Sequence, residues 1–356
     1  MTAHNGTILL TGANGGLGTA IVDSIVSRPE LSGCHGIYTV RDAETATSLK
    51  SALRTTNSHP HDIFSLDLSS LEGVRQVAAT INAKVSAGEI PRIRALILNA
   101  AHRESQGQTR TESGLDITFA CNYLAHWLLV LLLLQSMDKE SGRIVVVGSW
   151  VHDPLDDANK ASGAYDDPKW KTIFADASAE TVESVAQGKW SPPGDPSKDR
   201  YGTAAVRRYG ASKLCLAMMI GPSVSVELQH RLDSDPKLSG ISILGVDPGL
   251  MPTKITTGGL GLIIGSIFTL VMHISGRIWP NGTLRLKHKS ADDVLAAAFD
   301  TKEPFGERPK ALYMNGSELK HVGVEAQDAE KRASVWKASI DYAGLKEGET
   351  CLTAWA

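Results

Sequence analysis

Short apolar runs alternate with longer stretches of helical periodicity along most of this chain. Thr7–Thr11, Gly36–Val40, Asp62–Leu66, Arg94–Leu98, Arg143–Val147 and Ile241–Val246 read as strands, with a further one near Ala311–Met314. Such runs are apolar on both faces, as strands covered on both sides should be. Helical patterns fall between them at about 16–27, 70–86, 112–137 and 204–231. Alternating strand and helix with right-handed crossovers predicts an α/β, Rossmann-type doubly wound parallel sheet of about seven strands.

The expected organisation is one catalytic domain over 1–300, with the last strand and a C-terminal helix or tail in 301–356. Two segments interrupt the alternation. Residues 152–200 are polar and rich in Asp, Pro, Ser and Gly, too long for an ordinary loop, and read as an insertion that serves as a lid. Residues 250–285 read as an apolar substrate flap. Its centre, 258–274, is uncharged, Gly-rich and marginally short for a bilayer span, so a substrate wall is expected, with peripheral membrane contact as the alternative.

Composition narrows the picture by exclusion. The 356 residues are 42% hydrophobic and 21% charged, an ordinary soluble globular balance. The net charge of −3 comes from acids and bases mixed along the chain, which leaves no basic stripe for nucleic acid. The four cysteines, Cys34, Cys121, Cys215 and Cys351, have no metal-ligand spacing and read as reduced thiols, so no metal is expected. The polar N-terminus carries no signal-peptide pattern, and a cytoplasmic setting is the default expectation.

The first strand ends in Thr11–Gly18, Thr-Gly-Ala-Asn-Gly-Gly-Leu-Gly, and a helical pattern follows. Glycines between strand and helix allow a tight turn at Gly12, close approach of a pyrophosphate at Gly16 and helix–strand packing at Gly18. The second strand runs into Arg41, whose guanidinium suits a ribose 2′-phosphate and points to NADP(H), although Asp42 follows directly. After the third strand, Asp67-Leu68 places a carboxylate where it could accept from an adenine amino group, while Ser69 and Ser70 are the better-placed helix caps.

Tyr209 and Lys213 stand one helical turn apart. A phenol titrates near ~10, and a cation at ~4 Å is worth about 4 kcal/mol at an effective dielectric of ~20. The pair therefore suggests general acid/base catalysis, with Lys213 lowering the Tyr209 pKa. The same spacing recurs at Tyr165/Lys169, where Pro168 breaks the turn, and at Tyr342/Lys346, where Gly344 marks a helix end.

Taken in order, these motifs resemble the short-chain dehydrogenase/reductase family over roughly residues 5–255. Thr11–Gly18 looks like its glycine turn, and Asn99-Ala100-Ala101 resembles its Asn-Ala-Gly motif with the final Gly replaced. Asn122 sits where the family has a water-holding helix Asn, and Ser149 ends the fifth strand as its catalytic Ser does. Tyr209 and Lys213 match its Tyr–Lys pair, and Pro248-Gly249 with Thr253 resembles its nicotinamide-contacting loop. The interval from Ser149 to Tyr209 is far longer than the family's usual connection. Arg41 and the long C-terminal part resemble the branch of retinol dehydrogenases and protochlorophyllide reductases, with fungal secondary-metabolism members.

The resemblance implies catalytic Asn122, Ser149, Tyr209 and Lys213. It also implies cofactor contacts from Thr11, Gly12, Asn14, Gly16, Leu17, Gly18, Arg41, Asp67, Leu68, Asn99, Ala100, Tyr209, Lys213, Pro248, Gly249, Met251 and Thr253. The implied activity is NADP(H)-dependent interconversion of a carbonyl and an alcohol on a bulky apolar substrate. Alkene reduction and a non-catalytic NADP(H)-binding regulator are the alternatives. Pairing of two copies through the helix after Asn122 is a further expectation.

Overall fold

A computed structural model describes residues 5–54, 59–195, 199, 202–220, 227–251, 270–272 and 274–356. In chain order the strands are β1 (Thr7–Thr11), β2 (His35–Val40), β3 (His61–Ser65), β4 (Ile93–Leu98), β5 (Arg143–Val147), β6 (Ser242–Asp247), β7 (Tyr313–Asn315) and β8 (Glu318–Leu319). The sheet order is β3-β2-β1-β4-β5-β6-β7-β8, parallel except for the β7–β8 hairpin. The expected doubly wound sheet is therefore present. The eighth strand is only two residues long, too short to show a periodicity.

The helices are α1 (Gly16–Ser27), α2 (Pro29–Ser32), α3 (Thr47–Leu53), α4 (Leu71–Ser86), α5 (Ile117–Phe119), α6 (Ala125–Leu133), α7 (Ala179–Ala186), α8 (Thr203–Ile220), α9 (Glu227–Ser234), α10 (Lys287–Phe299), α11 (Val324–Gln327) and α12 (Ala329–Ala343). A π-helical turn, Ala120–Leu124, joins α5 to α6. β1, β4 and β5 are buried along their whole length. Alternate residues feed two cores. Leu9, Leu96 and Ile144 face α4, α6 and α8, whereas Ile8, Ala95 and Val145 face α1 and α10.

Ile117–Ser136 is long and apolar enough to cross a membrane, but 94% of its apolar window is buried within the chain. The C-terminal part covers it. Trp127 and Trp336 pack edge-on at 5.1 Å, Tyr123 Oη and Ser339 Oγ lie 2.9 Å apart, and Thr350 donates to the Leu131 carbonyl at 2.8 Å.

The insertion is ordered in its described residues, 152–195 and 199. Arg207 donates to the Ala164 carbonyl and to Ser191 Oγ and stacks on Trp170, which itself packs against Trp190. Arg208 donates to the Ser191 carbonyl and forms a buried ion pair with Asp116 at 3.1 Å. Glu325 accepts from the Ile173 and Phe174 N–H groups. What the composition suggests as a lid is thus bolted to α8 and to the C-terminal segment. The arginines that hold it immediately precede Tyr209.

Most of the 258–274 stretch, and Thr253, lie outside the described residues. The segment that returns from it exposes Leu270, Val271, Ile274 and Ile278, a spacing that puts them on one side of a helix, and Trp279 just after it.

Candidate active site

The C-terminal ends of β1, β2, β4, β5 and β6 form one edge, and the strand order reverses between β1 and β4, where doubly wound sheets bind ligands. Gly12 has φ +68°, and a Cβ there would stand 2.8 Å from Ala100 Cα. A Cβ on Gly18 would meet the Gly12 carbonyl at 2.2 Å. These close approaches require glycine and pull α1 tight against the turn. α1 begins at Gly15 with no side-chain cap and no acid in its first turn. Its first N–H groups therefore fit a pyrophosphate.

Thr11 Oγ1 accepts from the Asn99 and Ala100 N–H groups at 2.9 and 3.0 Å, and Asn99 Nδ2 donates to the Thr11 carbonyl at 2.8 Å. The motif after β4 is therefore a brace for the glycine turn. Asn14 turns its Oδ1 to the Leu49 N–H at 3.0 Å, which anchors α3, and Leu17 is buried in the α1 core.

At the end of β2, Arg41 is exposed. Asp42 is committed locally: its carboxylate accepts from the Glu44 N–H and the Thr45 hydroxyl, both at 2.9 Å. Those bonds hold its carboxyl below the usual range. Asp67 Oδ1 accepts from the Ser69 N–H and hydroxyl, and Leu68 beside it is half-buried. Burial opposes ionisation of Asp67, yet Ser69 and Arg41 outweigh it and hold the carboxyl low. Ser70 caps α4.

The reacting groups converge on β5, β6 and α8. Ser149 follows β5 in extended backbone, at the start of the turn Trp150–His152. α8 presses against that turn at Gly210, where a Cβ would lie 2.5 Å from the Val151 carbonyl. Tyr209 is half-buried, whereas Lys213 is buried and donates to the Val147 carbonyl at 2.7 Å. Asn122 donates to the His102 carbonyl and to Ser212 Oγ, and its Oδ1 accepts from the His102 N–H. Ser212 in turn donates to the Tyr209 carbonyl at 2.7 Å. Asn122 therefore braces α8 directly.

Lys213 stands beside Tyr209 as the spacing suggests, yet it does not set the direction of the phenol's shift. Its ammonium faces the Tyr209 ring, 5.6 Å from the centroid. Burial pushes the Tyr209 phenol well up, Arg103 pulls against this and Asp247 adds to it. Desolvation sets the direction. It also pulls Lys213 down to about 8, with Asp247 opposing.

Several residues of this edge are invisible as motifs. Arg285 is buried and donates to the carbonyls of Asp247, Gly282 and Asn281, fixing the Pro248-Gly249 loop. Ser290 donates to the Pro248 carbonyl, Gly249 has φ +72°, and Met251 is buried. Asp247 Oδ1 accepts from the Gly249 N–H, while its buried Oδ2 has no hydrogen-bond partner among the described residues. Burial pushes that carboxyl up. The buried Tyr313 hydroxyl has no well-formed hydrogen bond, although the Ser149 N–H lies close enough to favour its ionised form.

A short chain dehydrogenase family model matches residues 6–154. The short-chain dehydrogenase iccH of Talaromyces variabilis is 43% identical, with 99% of each chain covered. Retinol dehydrogenase 13 of Homo sapiens is 27% identical over 96% of this chain and 85% of its own length. Among solved structures, an NADPH-bound carbonyl reductase from chicken fatty liver matches with a TM-score of 0.56 at 15% identity, over 90% of this chain and 95% of that one. The chain belongs to the short-chain dehydrogenase family. It is an oxidoreductase of the alcohol–carbonyl class, which sets aside the non-catalytic reading.

Proposed function

We propose that the chain is an NADPH-dependent reductase of a bulky, apolar ketone or aldehyde, serving secondary metabolism. The observation that carries this reading is geometric: α8 brings Tyr209 and Lys213 together and packs at Gly210 against the turn that follows Ser149. A proton donor must be protonated at working pH, and a developing alkoxide is a far stronger base than a phenolate. Reduction is the direction that NADPH as hydride donor would serve.

When bound, NADPH supplies the hydride. Tyr209 Oη gives its proton to the substrate oxygen as negative charge develops there. Ser149 Oγ donates to the same oxygen and stabilises that charge. Lys213 lies behind the Tyr209 ring and offsets the phenolate left after proton transfer.

Preference for the 2′-phosphate rests on Arg41, because Asp42 spends its carboxylate within its own turn. An apolar substrate fits the exposed Leu270, Val271, Ile274, Ile278 and Trp279 that follow the Pro248-Gly249 loop. The secondary-metabolism setting is supported by the full-length likeness to a Talaromyces protein. Assay of a panel of apolar ketones and aldehydes with each cofactor tests the reading. Turnover with NADPH well above NADH is expected, and Arg41→Asp is expected to cost at least about tenfold in that preference, since removing a charge-assisted bond is worth ~1.5–3 kcal/mol. An unchanged preference would remove Arg41 as the selector.

We infer that the α6 face serves no second copy, because Trp336, Ser339 and Thr350 already occupy it. Light scattering is expected to give the 38.0 kDa mass of one chain. Deleting 324–356 should expose α6 and drive self-association. A stable dimer of the full chain that pairs through α6 would contradict the inference.

A further inference from the structure

Two buried histidines stand directly behind the reacting groups. His126 Nδ1 lies 2.8 Å from the Asn122 carbonyl, and its Nε2 lies 3.0 Å from Thr11 Oγ1. A carbonyl only accepts, so Nδ1 carries the proton and Nε2 is an acceptor, to which the Thr11 hydroxyl donates. His152 repeats the arrangement. Its Nδ1 lies 2.6 Å from the Ser149 carbonyl, and its Nε2 accepts from the Gly323 N–H at 2.9 Å.

We propose that His126 and His152 are positioning residues for the reduction. Each ties the main chain of one catalytic residue, Asn122 or Ser149, to a segment remote in sequence, the glycine turn at Thr11 or the C-terminal cover at Gly323. The link in both is a neutral imidazole protonated at Nδ1. This rests on the assignment of Asn122 and Ser149 to the reaction.

Asn122 lies within the π-helical turn, where the regular helical ladder is interrupted. The imidazole four residues on supplies its carbonyl with a donor. Through Thr11, the same ring reaches the hydroxyl that gathers the Asn99 and Ala100 N–H groups. On the other side, Ser149 is fixed at its carbonyl by His152, whose ring packs on Tyr313 at 5.3 Å.

Both rings are held neutral. Burial lowers His126 to about 4; the bond to Asn122 opposes this, and the Lys213 charge adds to the drop. Burial also lowers His152, while the Ser149 carbonyl, Asp247 and Asp153 oppose it and Lys320 assists.

Two replacements at each position separate the two bonds. Asparagine places an amide N–H near the site of Nδ1, whereas glutamine reaches the site of Nε2. NADPH affinity is read by fluorescence titration and turnover by NADPH oxidation with phenanthrenequinone as the probe. His126→Asn is expected to keep turnover and weaken NADPH binding, and His126→Gln to do the reverse. His152→Asn should retain turnover while His152→Gln loses about tenfold or more, as expected for a small displacement of a catalytic group, with NADPH affinity unchanged in both.

Equal behaviour of the Asn and Gln variants at either position would overturn the proposal for that histidine. Should the variants fail to fold, side-chain nitrogen NMR of the unmodified protein reads the rings directly, and a proton on Nε2 of either would overturn its role. Ser149→Ala and Tyr209→Phe in the same assay test the underlying assignment separately, and both are expected to lose turnover. An unaltered protein that leaves the quinone unreduced counts against the proposed function, and the titrations of the two residue-126 variants then decide for His126 and the NMR for His152.

Discussion

Tyr209→Phe is expected to lower turnover by about 10²–10⁴-fold, the usual worth of a positioned acid, while NADPH affinity and the melting temperature stay near those of the unaltered protein. The substitution removes one oxygen from a half-buried ring. Ring packing and the Ser212 bond to the Tyr209 carbonyl survive it. Single-turnover kinetics beside a fluorescence titration separates the two effects. Turnover within threefold of the original would mean that the substrate oxygen takes its proton elsewhere.

Lys213→Met is expected to abolish turnover and yet stabilise the fold. Burial lowers Lys213 from the ordinary 10.5 to about 8, against the pull of Asp247. A lysine whose folded pKa is lowered costs stability below that value. The cost falls away as pH rises from about 8 through 10.5, because the unfolded chain then holds the proton that the folded chain has released. A shift of this size corresponds to ~3 kcal/mol, and a methionine of similar volume escapes it while losing the bond to Val147. A net gain of about 1–2 kcal/mol at pH 7 is expected. The same titration predicts that reduction falls as pH rises through about 8, when the charge behind Tyr209 is lost. Thermal melts and a pH–rate profile check both. A variant less stable than the original at pH 7, together with a rate flat to pH 10, would refute the account of Lys213.

Much of this edge is legible in the sequence because its parts are local. Strands buried on both faces show as apolar runs: β1, β2, β4, β5 and β6 lie within a residue of their expected bounds, and so does the more exposed β3. The glycine turn announces itself because Gly12 and Gly18 meet main-chain atoms that no side chain could approach. The rival Tyr165–Lys169 spacing fails as the Pro168 argument says: Tyr165 packs beneath Gly210 and donates to the Val151 carbonyl. The helix expected over 204–231 is α8 to Ile220 with α9 as a separate element.

What escapes the sequence depends on partners far along the chain. Nothing local says that Arg285 reaches back to Asp247. The cover over α6 is made by residues two hundred positions away. Periodicity reports that α6 is apolar, and leaves open whether another copy or the same chain buries it. His126 leaves a trace, as the one imidazole in the apolar run between Asn122 and Asp138. A titratable ring in so apolar a run needs two partners, and these prove to be Asn122 and Thr11. The direction of the Tyr209 shift escapes for the complementary reason. Spacing gives the Lys213 charge, but not the burial that raises the phenol.

The account stands most directly on where the hydride goes. NADPH carrying deuterium at the transferable position, incubated with an apolar ketone that the protein turns over, should place one deuterium on the carbinol carbon of a single enantiomer, read by mass spectrometry and NMR. Deuterium on a carbon of a reduced alkene, with the carbonyl intact, would contradict it.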